Sequence, residues 1–260
     1  MAEAQQSPVT GNVMFYQKPV PLNRETHKNT GVMAVDKPFE FMSTTHFVPL
    51  TAGEFVPAAA SFPIIFAGDE RAPLAVMGIR QQENLFVENG VFNNDFYLPA
   101  FARRYPFVLA GDQTEEGRFV VCVDEAATCI TDKNPTQMLF NGEQLSDFTQ
   151  EAFTFLQNFE QDRRSTQAVI DELKSLDLFE PKDMHFQGQN ADGTPAERQK
   201  IADYFAVSEE KLRALPAETL KSMTERGLIT FINAHLISLS NWQRLVNMTL
   251  RRAATEQKAA

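Results

Sequence analysis

The sequence predicts an α+β fold in which an antiparallel sheet, drawn mainly from the N-terminal half, packs against helices drawn mainly from the C-terminal half. Two features predict it. From about Thr45 to Asp124 the chain runs in short apolar stretches broken by turn residues, whereas from Ser146 the apolar positions recur at three- and four-residue steps. The turns joining the apolar stretches are short and polar, and a parallel pair would need a crossover of about a dozen residues or more.

Residues 1–40 carry Pro8, Pro19, Pro21 and Pro38 without clear periodicity and are expected to form an extended arm. The remainder, 41–260, is expected to be a single α+β domain, mainly strands over 41–145 and mainly helices over 146–260. His46–Leu50 reads as a strand, Ala52–Ser61 as a short helix or turn, and Pro63–Ala67, Leu74–Arg80 and Asn84–Glu88 as further strands. Glu88-Asn89-Gly90-Val91 is a hairpin turn. Tyr97–Arg104 holds one helical turn. Pro106–Ala110 then pairs with Arg118–Asp124 across Gly111–Gly117. On that last strand Val120, Cys122 and Asp124 share one face and Phe119, Val121 and Val123 the other.

In the second half Phe148, Ala152, Leu156 and Phe159 mark an amphipathic stripe that lapses through Arg163–Thr166. It resumes at Val169, Leu173 and Leu176, which predicts one helix or a broken pair ending before Pro181. Gly188, Gly193 and Pro195 mark a loop, with a short strand over Met184–Gln187 and another over Ile201–Val207. Ser208 is placed to N-cap Glu209–Leu215. Ala217–Arg226 is a second short helix closed by Gly227, and Asn241–Arg252 is helical with a basic end.

Composition narrows the function. The chain has 260 residues, a formal net charge of −10 and 22 Phe against 4 Tyr and 1 Trp. Phe lacks a polar handle, so most of these rings belong to cores or interfaces. The acidic balance argues against a nucleic-acid footprint. No stretch has the roughly 18 uninterrupted apolar residues of a membrane span. Two cysteines and a polar start without an apolar targeting core point to reduced thiols and the cytoplasm. There is no phosphate-cradling glycine loop, HExxH, CxxC or nucleophile-elbow serine, so no cofactor, metal or catalytic residue is expected.

Candidate ligand residues remain. Arg103 and Arg104 beside Tyr105 offer an anion clamp, or alternatively ion pairs with Glu83 or Asp124. Glu83, Asn84 and His46 complete the set. His235, set among Ile232, Leu236 and Leu239, is either a further ligand or a core histidine. A carboxylate two residues from Cys122 argues against an activated thiol. The aromatics Phe92, Phe96, Tyr97, Phe101, Tyr105 and Phe107 line a pocket or pack in the core.

Seven stretches in one order resemble the bacterial SapC family. They are His46-Phe-Val-Pro-Leu-Thr-Ala-Gly-Glu-Phe55, Phe62-Pro-Ile-Ile-Phe66, Glu83-Asn-Leu-Phe-Val87, Tyr97-Leu-Pro-Ala-Phe-Ala-Arg-Arg-Tyr-Pro-Phe107, Phe119-Val-Val-Cys-Val-Asp124, Phe205-Ala-Val-Ser-Glu-Glu-Lys-Leu212 and Ala234-His-Leu-Ile-Ser-Leu239. The resemblance implies a link to bacterial surface layers or nutrient uptake and brings no catalytic residues. The membrane permease that shares the family's name is excluded by the absence of spans. Three readings stay open: a non-catalytic binding or accessory protein for a small molecule or protein partner, an oligomerising structural subunit, or an enzyme with a scattered His/Arg site.

Overall fold

The computed structural model describes residues 14–111, 119–187, 194 and 197–259. The first 13 residues of the expected arm, the turn around Gly117 and most of the loop around Gly193 lie outside them. The fold is α+β, with antiparallel sheets and the longer helices in the C-terminal half. The chain forms two compact units interleaved along the sequence. One holds residues up to Met42, Asn89–Val91 and Ala102–Gln161; the other holds Ser43–Glu88, Phe92–Phe101 and Asp162 onward.

In the first unit, Phe107–Gly111 pairs with Phe119–Asp124, which pairs on its other side with Pro19–Pro21. The described part of the arm is thus built into the unit, and Gly31–Val32 likewise pairs with Ile130–Thr131 and Gln137–Met138. Alternation on Phe119–Asp124 buries both faces. Val121 and Val123 enter a core with Phe107, Leu139, Phe140 and Leu156. Cys122 enters a second with Tyr16, Val108 and Ala110.

The second unit is built on a five-stranded antiparallel sheet ordered Phe179–Phe186, Gln199–Val207, Ile64–Ala67, Ala72–Val76 and Phe47–Pro49. Two of its strands come from the C-terminal half, because the expected short strand at Met184 is a full eight-residue partner of Gln199–Val207. The apolar helix Leu228–Ser238 packs on it: Phe231 stacks on Phe55 at 3.9 Å, and Phe66 meets Phe179 edge-on at 4.9 Å. Such aromatic pairs add about 0.5–1.5 kcal/mol each beyond area burial.

Three local results follow from named residues. Asp147–Ser175 is one unbroken helix of 29 residues. The apparent lapse hides Thr166, which is buried, donates its hydroxyl to the Asp162 carbonyl, and accepts from the Ala52 amide at 2.7 Å. The buried stripe therefore continues through a polar residue. Asn89 and Gly90 both adopt left-handed φ (51° and 76°), as the hairpin turn requires. Asn84 lies in a turn before a strand of only two residues, Val87–Glu88, because the chain folds back with Leu85 N–H donating to the Met77 carbonyl.

Candidate functional site

The residues singled out from sequence fall into three separate places. Arg103, Arg104 and Tyr105 belong to the first unit. Arg103 is exposed, its guanidinium 5.2 Å from the Phe155 ring centroid on the long helix. Phe155 also lines an open groove of about 490 Å³ with Asp147, Gln150, Glu151, Thr154 and Asn158. Arg104 turns inward against Tyr16 and Phe159. Burial holds its pKa below the usual value, opposed by Tyr16 and Glu160. Asp124 is met by Tyr105, whose hydroxyl lies 3.4 Å away, and Glu83 is met by Arg252 at 3.7 Å.

His46, Glu83 and Asn84 come together in the second unit around Gly78, whose amide donates to the His46 carbonyl. A Cβ on Gly78 would lie 2.0 Å from the Glu83 carbonyl oxygen and 3.3 Å from His46 Cβ, so only glycine fits there. His46 is half-buried, which pushes its pKa down. Asn84 is fully buried; its side chain accepts from the Phe86 amide and donates to Met77 Sδ. Arg252, 168 residues away and missed by sequence reasoning, donates to the Asn84 and Val87 carbonyls.

His235 is fully buried. The Val207 amide donates to its Nε2 at 3.1 Å, so the proton resides on Nδ1, which donates to the Ile64 carbonyl at 2.9 Å. The neutral ring therefore ties the helix to two strands, and burial pushes its pKa down to about 4. On the next turn Ser238 Oγ accepts from the Ile64 amide at 2.9 Å. The aromatic run disperses as well: Phe96 meets Phe86 in one unit, while Tyr105 stacks on Phe41 and Phe107 meets Phe148 in the other.

Two buried carboxylates went unnoticed as junctions. Glu54 accepts from the Thr51 amide and hydroxyl, the Ala100 amide at 2.6 Å and the Tyr97 hydroxyl at 3.1 Å. The Thr51-x-x-Glu54 capping box was its sequence signal. Asp124, also buried, accepts from the Gln17, Lys18 and Ala126 amides. Burial pushes the Cys122 thiol up to about 11, so its thiolate is scarce near neutral pH.

A cleft of about 510 Å³ opens in the second unit where Phe179–Phe186 and Gln199–Val207 meet the helix Glu209–Arg213 and the end of Leu228–Ser238. Its volume suits a small organic ligand. Alternation puts Glu180 and Lys182 on one face, opposite Ala206 and Tyr204. Lys182 Nζ lies 2.7 Å from Glu180, and this bond, with a second from Ser208, holds the Glu180 carboxyl below its ordinary pKa. Ser208 stands at the expected N-cap, yet its side chain makes no cap hydrogen bond because it turns to Glu180. Arg213 pairs with Glu209. Ala206, Val207, Leu236 and Leu239 supply an apolar lining.

The structure thus defines an α+β protein of two units interleaved along the sequence, with a polar-rimmed cleft carrying an apolar lining in the second. The chain belongs to the SapC family, whose sequence model matches residues 22–245. No curated protein and no solved structure matches the chain at a significant level. Among the described residues, no helix is long and apolar enough to cross a membrane.

Proposed function

We propose that the chain is a non-catalytic binding or accessory protein, serving bacterial nutrient uptake or cell-surface processes from the cytoplasm, and that its ligand sits in the cleft of the second unit. The cleft carries this reading, because fixed charges at its rim and Leu236 and Leu239 along its wall combine orientation with apolar contact. Native mass spectrometry of gently purified full-length protein tests it. A retained small mass that disappears in Leu239→Trp, a substitution that fills the cleft, is expected. A retained mass that survives Leu239→Trp, or none after supplying cytosolic extract, counts against the cleft.

A second reading, an oligomerising or partner-binding subunit, is favoured by exposed apolar side chains. Among the described residues, Ile237 at 66% and Val56 at 59% exposure are the largest instances. It expects a stable oligomer or protein complex in the same spectrum. The anion clamp of Arg103, Arg104 and Tyr105 is kept as an alternative site, and Arg103→Ala should weaken anion binding in a titration if it is used.

A further inference from the structure

Resting on the cleft as the ligand site, we infer that it takes a compact apolar group carrying one positive charge, an aliphatic or aromatic ammonium. The charges at the rim set the sign. Three carboxylates, Glu180, Glu209 and Glu210, face two cations, Lys182 and Arg213. Lys182 is engaged by Glu180 and Arg213 by Glu209. Glu210 is left as the exposed carboxylate with no ion pair among the described residues.

The apolar half of the ligand meets Leu236 and Leu239, both partly exposed, above the buried Ala206 and Val207. Burying an alkyl chain against them supplies affinity, about 0.8 kcal/mol for each methylene removed from water. An anion of the same shape would place its charge against Glu210. The only tryptophan, Trp242, lies three residues beyond Leu239, and its ring is 5.9 Å from Tyr204, the cross-strand partner of Lys182. Its fluorescence therefore reports on this end of the sheet.

The test titrates the full-length protein with hexylammonium, hexanoate and hexanol, following Trp242 fluorescence and calorimetry. Hexylammonium should bind saturably and at least threefold more tightly than hexanol, with hexanoate the weakest. Glu210→Gln should weaken hexylammonium about threefold and Glu210→Lys about tenfold, without altering hexanol binding, as expected for a rim charge. Equal or tighter binding of hexanoate, or hexylammonium binding indifferent to both variants, overturns the cationic assignment. If hexanol or hexanoate still binds and is expelled by Leu239→Trp, the cleft survives as a site and only the charge inference fails. Saturable binding of none of the three overturns both.

Discussion

The two units tie distant segments together with different chemistry. In the first, Asp124 gathers three backbone amides and the Tyr105 hydroxyl at the end of a strand, fastening the segment around Gln17 to the sheet. In the second, Glu54 fastens a helical turn to the Tyr97–Ala100 segment, while a neutral histidine, His235, joins the apolar helix to two strands. Both units use a buried carboxylate to organise amides and both hold a buried histidine, His27 in the first and His235 in the second; only His235 ties a helix to two strands through both ring nitrogens. The difference teaches that polar residues in the family stretches act here as interior joints, and that the joint made by His235 should be sensitive to mild acid.

The largest expected effect comes from Glu54→Ala. It leaves the Ala100 amide, the Thr51 amide and the Tyr97 hydroxyl without their acceptor, at about 1–3 kcal/mol for each group kept from water. A loss of about 4 kcal/mol is expected in urea unfolding followed by Trp242 fluorescence; a loss below about 1 kcal/mol would remove Glu54 from the account.

Next is acid. His235 has a folded pKa of about 4 against 6.5 for the exposed group, so between these values the unfolded chain binds the proton and the folded chain does not. Its contribution is complete above about pH 6.5 and falls as pH drops towards 4, by about 3 kcal/mol in all. His235→Gln, whose amide both donates and accepts, should flatten this part of the pH–stability curve. An unchanged slope in that variant would break the comparison.

The smallest effect is Asp124→Asn. It keeps the shape and one acceptor oxygen but replaces a charged acceptor facing three amides, for about 2 kcal/mol by far-UV circular dichroism. A cost equal to that of Glu54→Ala would erase the contrast between the two joints.

Period-two and three-to-four-residue spacing made the strands and helices legible, including the faces of Phe119–Asp124 and the turn at Gly90. Whether the long helix was one or a broken pair stayed open because Thr166 buries a hydroxyl on the apolar stripe, and periodicity counts only apolar side chains. Site assembly was less legible. His46 and Glu83 meet at Gly78 through backbone atoms, and Arg252, which reaches Glu83 and the Asn84 carbonyl, is fixed by a helix 168 residues from Asn84, a distance that local spacing cannot encode. Adjacent Arg103 and Arg104 split, one exposed and one turned inward, since neighbouring side chains at the end of a helical turn point different ways. The cleft had no motif at all, because Leu236, Leu239 and Ser208 each look ordinary until the sheet brings them together.

The most direct test of the claim that these polar residues are joints is an NMR pH titration of the imidazole signals, with His235 assigned by loss of its peak in His235→Gln. The joint predicts an apparent pKa near 4 with the proton on Nδ1 above it. Titration near 6.5 would mean a ring open to solvent and free to meet a ligand, and would contradict the account.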